Sequence, residues 1–235
     1  MEQPERVKAV RAAIESTPGI DARTDTIEIR FEDALELDGD VRDIAAKRRA
    51  VRAAQAAGGT TSVADRLRVR VADPRPDGWM HDRALQMLRA EPVFGETRVS
   101  GPDEAAAGEG SSIRVSVSEG VIRLEGEVGS LSHRRVAEVL CWWIPGCRDV
   151  DNRLHVVPPE RDNDGEITDA VRLVLEKSAG TDAAAIRVQT RDQAVTLSGT
   201  VHSRPAADEA VLNCWRIPGV HEVHDQLEVR PGQNG

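Results

Sequence analysis

The chain has 235 residues, with 31 basic and 40 acidic side chains and a formal net charge of −9. This length fits one ordinary domain or two to three small ones, and a hydrophobic fraction of 40% excludes a fully disordered chain. The acidic balance excludes general nucleic-acid binding, which needs a basic surface, and an aromatic content of 3% excludes a base-stacking groove.

The start of the chain predicts no targeting segment. No apolar segment follows residues 1–6, and the longest apolar run, residues 139–144, is far shorter than the roughly 18 residues of a membrane span. We therefore expect the protein in the cytoplasm, or bound peripherally at the inner membrane. Three cysteines, an odd number, fit a reducing compartment and predict no disulfide framework.

Three copies of one unit are predicted, at residues 1–71, 77–157 and 164–230. The second and third copies share Cys-Trp, Ile-Pro-Gly and a final Val-x-x-x-Leu-x-Val at a constant offset of 73 residues. In all three copies, the valine of a Leu-x-Gly-x-Val strand lies 22 residues before the first valine of the final strand. An ungapped interval that recurs three times indicates a tandem repeat, although the first copy is the most divergent.

Each copy contains the same predicted elements in the same order. It opens with a helical pattern, in which Val7, Val10 and Ile14 share one face in the first copy. Two strands follow, and in the second copy residues 113–118 and 121–128 alternate between apolar and polar, which predicts a sheet covered on one face. A second helix with a narrow stripe of small side chains and a last strand complete the unit. The fold class is therefore α+β, with three tandem αββαβ repeats, each a three-stranded mixed sheet with two helices on one face.

Glycines and turns recur at fixed places in the copies. We expect a glycine in the second strand to free space on the inner sheet face, so that the second helix approaches closely. Pro-Gly, or Gly58-Gly59 in the first copy, is expected to end that helix. The recurring positions are Gly39, Gly126 and Gly199 in the strand, Pro145-Gly146 and Pro218-Gly219 in the turn, and Asp65, Asn152 and Asp225 in the last strand.

Two kinds of irregular segment interrupt the copies. Residues 70–77 and 157–164 are rich in proline and aspartate, which predicts linkers. The second copy also carries an insertion at residues 95–112, rich in glycine, alanine, glutamate and serine, which predicts a mobile loop.

The repeated pattern resembles the BON domain family. The resemblance rests on the Leu-x-Gly-x-Val strand, the alanine-rich helix, Pro-Gly, and a last strand that is clearest at residues 150–156, VDNRLHV. It implies an αββαβ fold and a module without catalytic residues. It also implies phospholipid binding and a role in envelope or osmotic stress, and one relative in the family binds potassium.

Three tryptophans are candidates for a binding surface: Trp142, Trp143 and Trp215, beside the buried stripe of the second helix. An amphipathic indole suits contact with membrane headgroups or with a partner protein. The alternative is packing within a copy or between copies. A short helix without a basic face favours packing.

The densest basic run is Lys47, Arg48, Arg49 and Arg52, on the second helix of the first copy. Such a run attracts anionic lipid or phosphate, but a solvated helix face is the favoured interpretation. Net charge makes the first copy the best suited to an anionic bilayer, since residues 1–72 carry 0, residues 73–157 carry −4 and residues 158–235 carry −5.

Two patterns suggest metal ligands. Glu36, Asp38 and Asp40 share one strand face, but alternate residues of a strand lie about 7 Å apart, which is wide for one ion. His221 and His224 have a zinc-ligand spacing without an evident third ligand. We therefore expect no metal and no cofactor.

The chain lacks a nucleophile elbow, a phosphate-binding loop and a dinucleotide fingerprint. We therefore predict a non-enzymatic binding or scaffold protein that engages a protein partner or an anionic membrane surface, and not nucleic acid. Two alternatives stay open: a sensor for potassium or another small ligand, and a structural protein that assembles into homo-oligomers through exposed strand edges.

Overall fold

A computed structural model describes residues 3–31, 34–60, 62–104, 110–178 and 182–230. The chain divides into two compact units, Met1–Ala72 and Asp73–Gly235. The first unit holds the first repeat, and the second unit holds the second and third repeats together.

The first unit has the predicted αββαβ order. Its elements are α1 (Gln3–Glu15), β1 (Thr26–Phe31), β2 (Leu35–Val41), α2 (Ile44–Gly58) and β3 (Val63–Val69). Strand β2 is central, antiparallel to β1 and parallel to β3. The apolar residues of both helices and of the inner sheet face form one core, with Val10, Leu37 and Ala50 fully buried at its centre. Alternation therefore produces one covered and one solvated sheet face, as predicted.

The second unit repeats this order twice. The second repeat consists of α3 (Asp77–Ala90), β4 (Arg98–Ser100), β5 (Ser112–Ser118), β6 (Val121–Val128), α4 (Leu131–Trp142) and β7 (Asp149–Val156). The third consists of α5 (Asp164–Lys177), β8 (Ile186–Arg191), β9 (Ala194–Val201), α6 (Arg204–Arg216) and β10 (Glu222–Val229). Both sheets keep the antiparallel and parallel pairing of the first repeat. The α+β fold class is confirmed.

The second repeat differs from the prediction, because its sheet has four strands. The extra strand, β4, lies in the segment 95–112 that composition predicts to be a loop, and it pairs in parallel with β5. The Arg98 amide donates to the carbonyl of Ser111 at 3.0 Å, and Val99 is buried. Three residues are too few to show an alternating pattern, so the strand leaves no signal in the sequence. Residues 105–109 of the predicted loop lie outside the described residues.

The strand glycines have a different role from the one expected. Gly126 has a φ of 130°, and a Cβ there would lie 2.2 Å from the carbonyl oxygen of Ser112 in the neighbouring strand. Gly39 and Gly199 have the same conformation and the same conflict with β1 and with the residue before β8. Glycine is therefore required by the backbone conformation and by the adjacent strand, and not by the approach of a helix.

The Pro-Gly pairs form turns directly after the second helices. The Cys147 amide donates to the carbonyl of Ile144 at 3.0 Å across Pro145-Gly146, and Gly146 has a φ of 90°. Proline followed by a residue with positive φ is the pattern of a type II turn. Pro218-Gly219 forms the same turn in the third repeat. In the first repeat, Gly59 instead ends α2 in the left-handed conformation.

In the second unit, the helices of the two repeats pack against each other. Helix α4 contacts both α5 and α6, and its Val139 belongs to the buried core of the third repeat. The polar faces of the two sheets are left for solvent. Among the helices of the described segments, none combines the length and the apolar composition needed to cross a bilayer.

Candidate functional site

The tryptophans of the second helices lie inside the fold. Trp142 is 9% exposed and Trp215 is 2% exposed, so neither ring offers a face to a headgroup or a partner. Trp143 is half-buried against the core of the third repeat, and its Nε1 donates to Oδ1 of Asn213 at 2.9 Å. The burial of Trp142 and Trp215 and the hydrogen bond of Trp143 favour packing over the contact-surface interpretation. Trp143 instead contributes to the joint between the second and third repeats.

A second set of contacts at this joint involves Arg135 of α4. Its side chain is 2% exposed, and Nη2 donates to both carboxylate oxygens of Asp162 at 2.6 Å. Its Nε donates to the carbonyl of Pro218, in the Pro-Gly turn of the third repeat, at 3.1 Å. A third contact joins Nζ of Lys177 to Glu91 at 2.7 Å. These contacts hold the two repeats in one arrangement, and the sequence pattern predicts none of them.

Three of the four side chains in the basic run on α2 already have partners in the fold. Lys47 is 6% exposed, and its Nζ donates to Oδ1 of Asp65 at 2.9 Å and to the carbonyl of Leu67 at 2.6 Å. Arg48 and Arg49 are half-buried and have partners of their own. Within the run, Arg52 is the residue classed as exposed. The four residues therefore do not form one exposed cationic surface for lipid or phosphate.

The recurring acidic or amide residue of the last strand has a structural role. Oδ1 of Asp65, Asn152 and Asp225 accepts a hydrogen bond from the amide two residues later, at 3.0, 3.2 and 3.0 Å respectively. In the second repeat, Nδ2 of Asn152 also donates to the carbonyl of Arg134 and to Glu138, both on α4, at 3.0 Å. In the third repeat, Oδ2 of Asp225 lies 3.3 Å from Nη1 of Arg204 on α6. The motif thus links the last strand to the second helix in all three repeats.

Two aspartates that the sequence analysis does not single out hold the hairpin turns. The carboxylate of Asp77 accepts hydrogen bonds from the amides of Glu119 and Gly120 at 2.8 and 2.9 Å. Asp164 accepts from the amides that follow β8 in the same way, at 2.8 and 2.9 Å. Both begin a first helix and both precede glycine, which is the signal that could have identified them.

The candidate metal ligands do not form a site. Glu36 lies on the outer face of β2 and faces arginine, with Arg66 Nη1 at 3.0 Å and Arg30 Nη1 at 4.0 Å. His221 and His224 are exposed, and Nδ1 of His224 lies 3.9 Å from Glu222. Within the described ranges, no group of three or more histidine, cysteine or acidic side chains is arranged to hold an ion.

The three cysteines are free and buried. Burial raises the pKa of Cys141, Cys147 and Cys214 well above that of an exposed thiol. A thiol must ionise to act as a nucleophile. The cysteines therefore pack as small apolar side chains, as predicted for the two in the helical stripe.

Comparison with known proteins places these features in a family. The model of the BON domain matches residues 5–71, 104–158 and 163–231. The second match begins after α3 and β4. The chain is also 37% identical over 73 residues to osmotically-inducible protein Y of Escherichia coli, an alignment that covers 31% of this chain and 36% of that protein. The match therefore spans about a third of the length of that curated relative.

Among solved structures, the C-terminal domain of CdsD, a structural protein of the type III secretion system of Chlamydia trachomatis, is similar to this chain. The identity is 16%, with 98% of this chain and 100% of that chain covered, and the TM-score is 0.26. A likeness this weak supports no statement about fold or function.

Proposed function

The chain belongs to the BON-domain family, and from that premise we propose that it is a non-enzymatic scaffold that binds a protein partner. The joint between the second and third repeats carries this proposal. Contacts of Arg135, Trp143 and Asn213 join the helices of the two repeats. The polar sheet faces and the strand edges therefore stay available to a partner. A rigid body with two outward sheets suits a scaffold.

The chemistry of the side chains supports a role without catalysis. The three thiols are buried and hard to ionise. The candidate carboxylate Glu36 on β2 faces arginines on both neighbouring strands. Neither group has the exposed, activated environment that a nucleophile or a general base needs.

The burial and the contacts of the candidate binding residues favour a protein partner over an anionic membrane surface. Lipid binding would draw on amphipathic rings and on basic side chains at the surface. Trp142 and Trp215 are buried, and Lys47 is held by a carboxylate and a carbonyl. Among the candidate residues, Arg52 is left as an exposed cation.

The partner and membrane alternatives are separated by two measurements on the full chain. Affinity capture from the native host should retain a protein at stoichiometric yield, while vesicles containing phosphatidylglycerol should not pellet the chain at low salt. The choice of a protein partner would be overturned if the vesicles pelleted the chain, if Arg52→Glu abolished that pelleting, and if Arg83→Glu left it intact. Arg83→Glu is the control because it makes an equal charge change on another helix. Capture of no protein would remove the scaffold proposal itself.

The cellular context is also part of the proposal. The relative in Escherichia coli is named for osmotic induction, and we place this chain in the response to osmotic stress. Free cysteines fit the reducing cytoplasm. An immunoblot of fractionated cells before and after an osmotic upshift tests both points, since an unchanged level or a location outside the cytoplasm would contradict them. The sensor alternative predicts a rise in melting temperature with potassium.

A further inference from the structure

The middle repeat contains a strand that the other repeats lack. Strand β4 lies along the outer edge of β5, with Arg98, Val99 and Ser100 paired to residues 112–114. Val99 of this strand is buried. The carbonyl of Val99 accepts hydrogen bonds from Nε and Nη2 of Arg89 on α3, at 3.0 and 2.9 Å. Nη2 of Arg89 also holds Glu104, just after the strand, at 3.1 and 3.0 Å. The repeat thus shows how an extended segment with an acidic flank docks on this edge.

The same edge is open in the third repeat. Strand β8 ends the sheet order β10-β9-β8, and in the described part of the chain no further strand pairs with it. The constant offset of 73 residues matches Ser112, Ile113 and Arg114 of β5 to Ala185, Ile186 and Arg187. These are the positions against which β4 would lie.

A groove of about 620 Å³ occupies this place. Its floor includes Ala184, Ala185, Ile186 and Val188, and Arg172 of α5 lines it as well. In the second repeat, the helix that precedes the edge likewise contacts β4. The groove of the third repeat therefore lies along the residues that correspond to those paired with β4 in the second repeat.

The charge at the groove points to an acidic occupant. Of the described residues that line it, Arg172 and Arg187 are basic and none is acidic. Both arginines are exposed, and Arg172 has one exposed ion pair, to Asp169 at 3.4 Å. Such a pair is weak and easily exchanged. The rest of the third repeat is acidic, with a net charge of −5 over residues 158–235, so this edge is a local site of attraction for carboxylates.

We propose that the β8 edge is a strand-addition site, which takes an extended segment of a partner protein with a central apolar residue and acidic flanks, parallel to β8. Strand addition obtains affinity from backbone hydrogen bonds and specificity from the side chains beside them. A second copy of this chain is a poorer occupant. Pairing β8 with its own copy would bring Arg187 and Arg191 of both copies together, and like charges facing across strands are unfavourable.

The chain itself supplies a probe for this site. A fluorescent peptide of residues 96–104, ETRVSGPDE, contains β4 and its acidic flanks. Its binding to the full chain is followed by anisotropy, and amide exchange locates the contact. We expect saturable binding with protection of residues 186–191. A peptide methylated at the amide of Arg98, the group that donates to Ser111 in the second repeat, should bind at least about tenfold more weakly because it loses a strand hydrogen bond.

Two matched variants separate the site from general electrostatics. Arg172→Glu with Arg187→Glu should weaken binding at least about tenfold, whereas Arg83→Glu with Arg161→Glu, the same charge change at exposed positions elsewhere, should leave it unchanged. No saturable binding, equal binding of the methylated peptide, or equal effects of the two double variants would overturn the proposal. If the chain dimerised and Arg172→Glu with Arg187→Glu abolished the dimer, the occupant would be a second copy, and the proposal would also be overturned.

The site rests on the proposed scaffold function, but the two fail in different ways. A protein partner captured equally by the wild-type chain and by Arg172→Glu with Arg187→Glu would keep the scaffold and remove the edge site. Peptide binding at β8 without any captured partner would keep the edge site and remove the scaffold.

Discussion

Replacing Gly126 by alanine tests why each repeat keeps a glycine in its second strand. Gly126 has a φ of 130°, and an added Cβ would lie 2.2 Å from the carbonyl oxygen of Ser112. A side chain in this backbone region costs about 1–3 kcal/mol. Relieving the contact moves a strand backbone, which adds about 1–3 kcal/mol. We expect Gly126→Ala to lower the free energy of unfolding of the second unit by about 3 kcal/mol.

Tryptophan fluorescence is the suitable assay, because all four tryptophans lie in the second unit. Urea unfolding should show a lower midpoint for Gly126→Ala, and a loss of about 3 kcal/mol corresponds to a fall in Tm of about 6–12 °C for a unit of this size. Gly129→Ala is the matched control, since a Cβ there meets nothing within 4 Å and the change should stay within about 0.5 kcal/mol. Equal losses in the two variants would refute the reasoning.

Three further predictions follow from single side chains. Lys47→Met removes two hydrogen bonds of a buried ammonium. It should lower the free energy of unfolding by about 1–3 kcal/mol, measured by urea unfolding followed by circular dichroism. Arg52→Met on the exposed face should lower it little, and similar losses in the two variants would contradict the buried contact. Asp164→Ala removes the acceptor of two turn amides and should speed amide exchange in that turn, which Asp169→Ala on the same helix should not do. Burial raises the pKa of Asp151, but hydrogen bonds from two arginines outweigh it and hold the pKa below its ordinary value of 3.8. The carboxylate therefore stabilises the fold above about pH 4 and loses that effect as the pH falls through the lowered pKa. Asp151→Asn should lower the free energy of unfolding by under about 1 kcal/mol at pH 7, since the arginines are half exposed. In acid, the free energies of unfolding of wild type and variant should become equal. A difference that persists at pH 2 would refute the ion pairs as its origin.

The repeated fold could be predicted from the sequence because its signals are local. Residues 113–118 and 121–128 alternate with the period of a strand, and the structure places their apolar members inside. The turns at Pro145-Gly146 and Pro218-Gly219 depend on two adjacent residues with restricted backbones. Such features depend on residues that are neighbours in the sequence and not on contacts with distant parts of the chain.

The site could not be predicted in the same way, because its contacts join distant residues. The hydrogen bond from Trp143 to Asn213 spans 70 positions, and the contact from Arg135 to Pro218 spans 83. In the sequence, Lys47 belongs to a basic run that is typical of a solvated helix face. In the fold, Asp65 and Leu67, which follow later in the chain, accept hydrogen bonds from its ammonium group. Composition reports the charge of such residues but not the partners that tertiary packing brings to them.

Differences between the repeats carry more functional information than their similarities. The shared residues, such as the strand glycine and the last-strand Asp or Asn, have structural partners within their own repeat. The differing segments decide which edges are covered, since residues 98–100 add a strand to one sheet and the corresponding edge in the third repeat keeps a basic groove. A duplicated unit that leaves one edge open has a surface for strand pairing without any new fold. Among the described residues, the edges at β1 and β8 both lack a β4, and the basic groove makes the β8 edge the place where this scaffold is best suited to bind another chain.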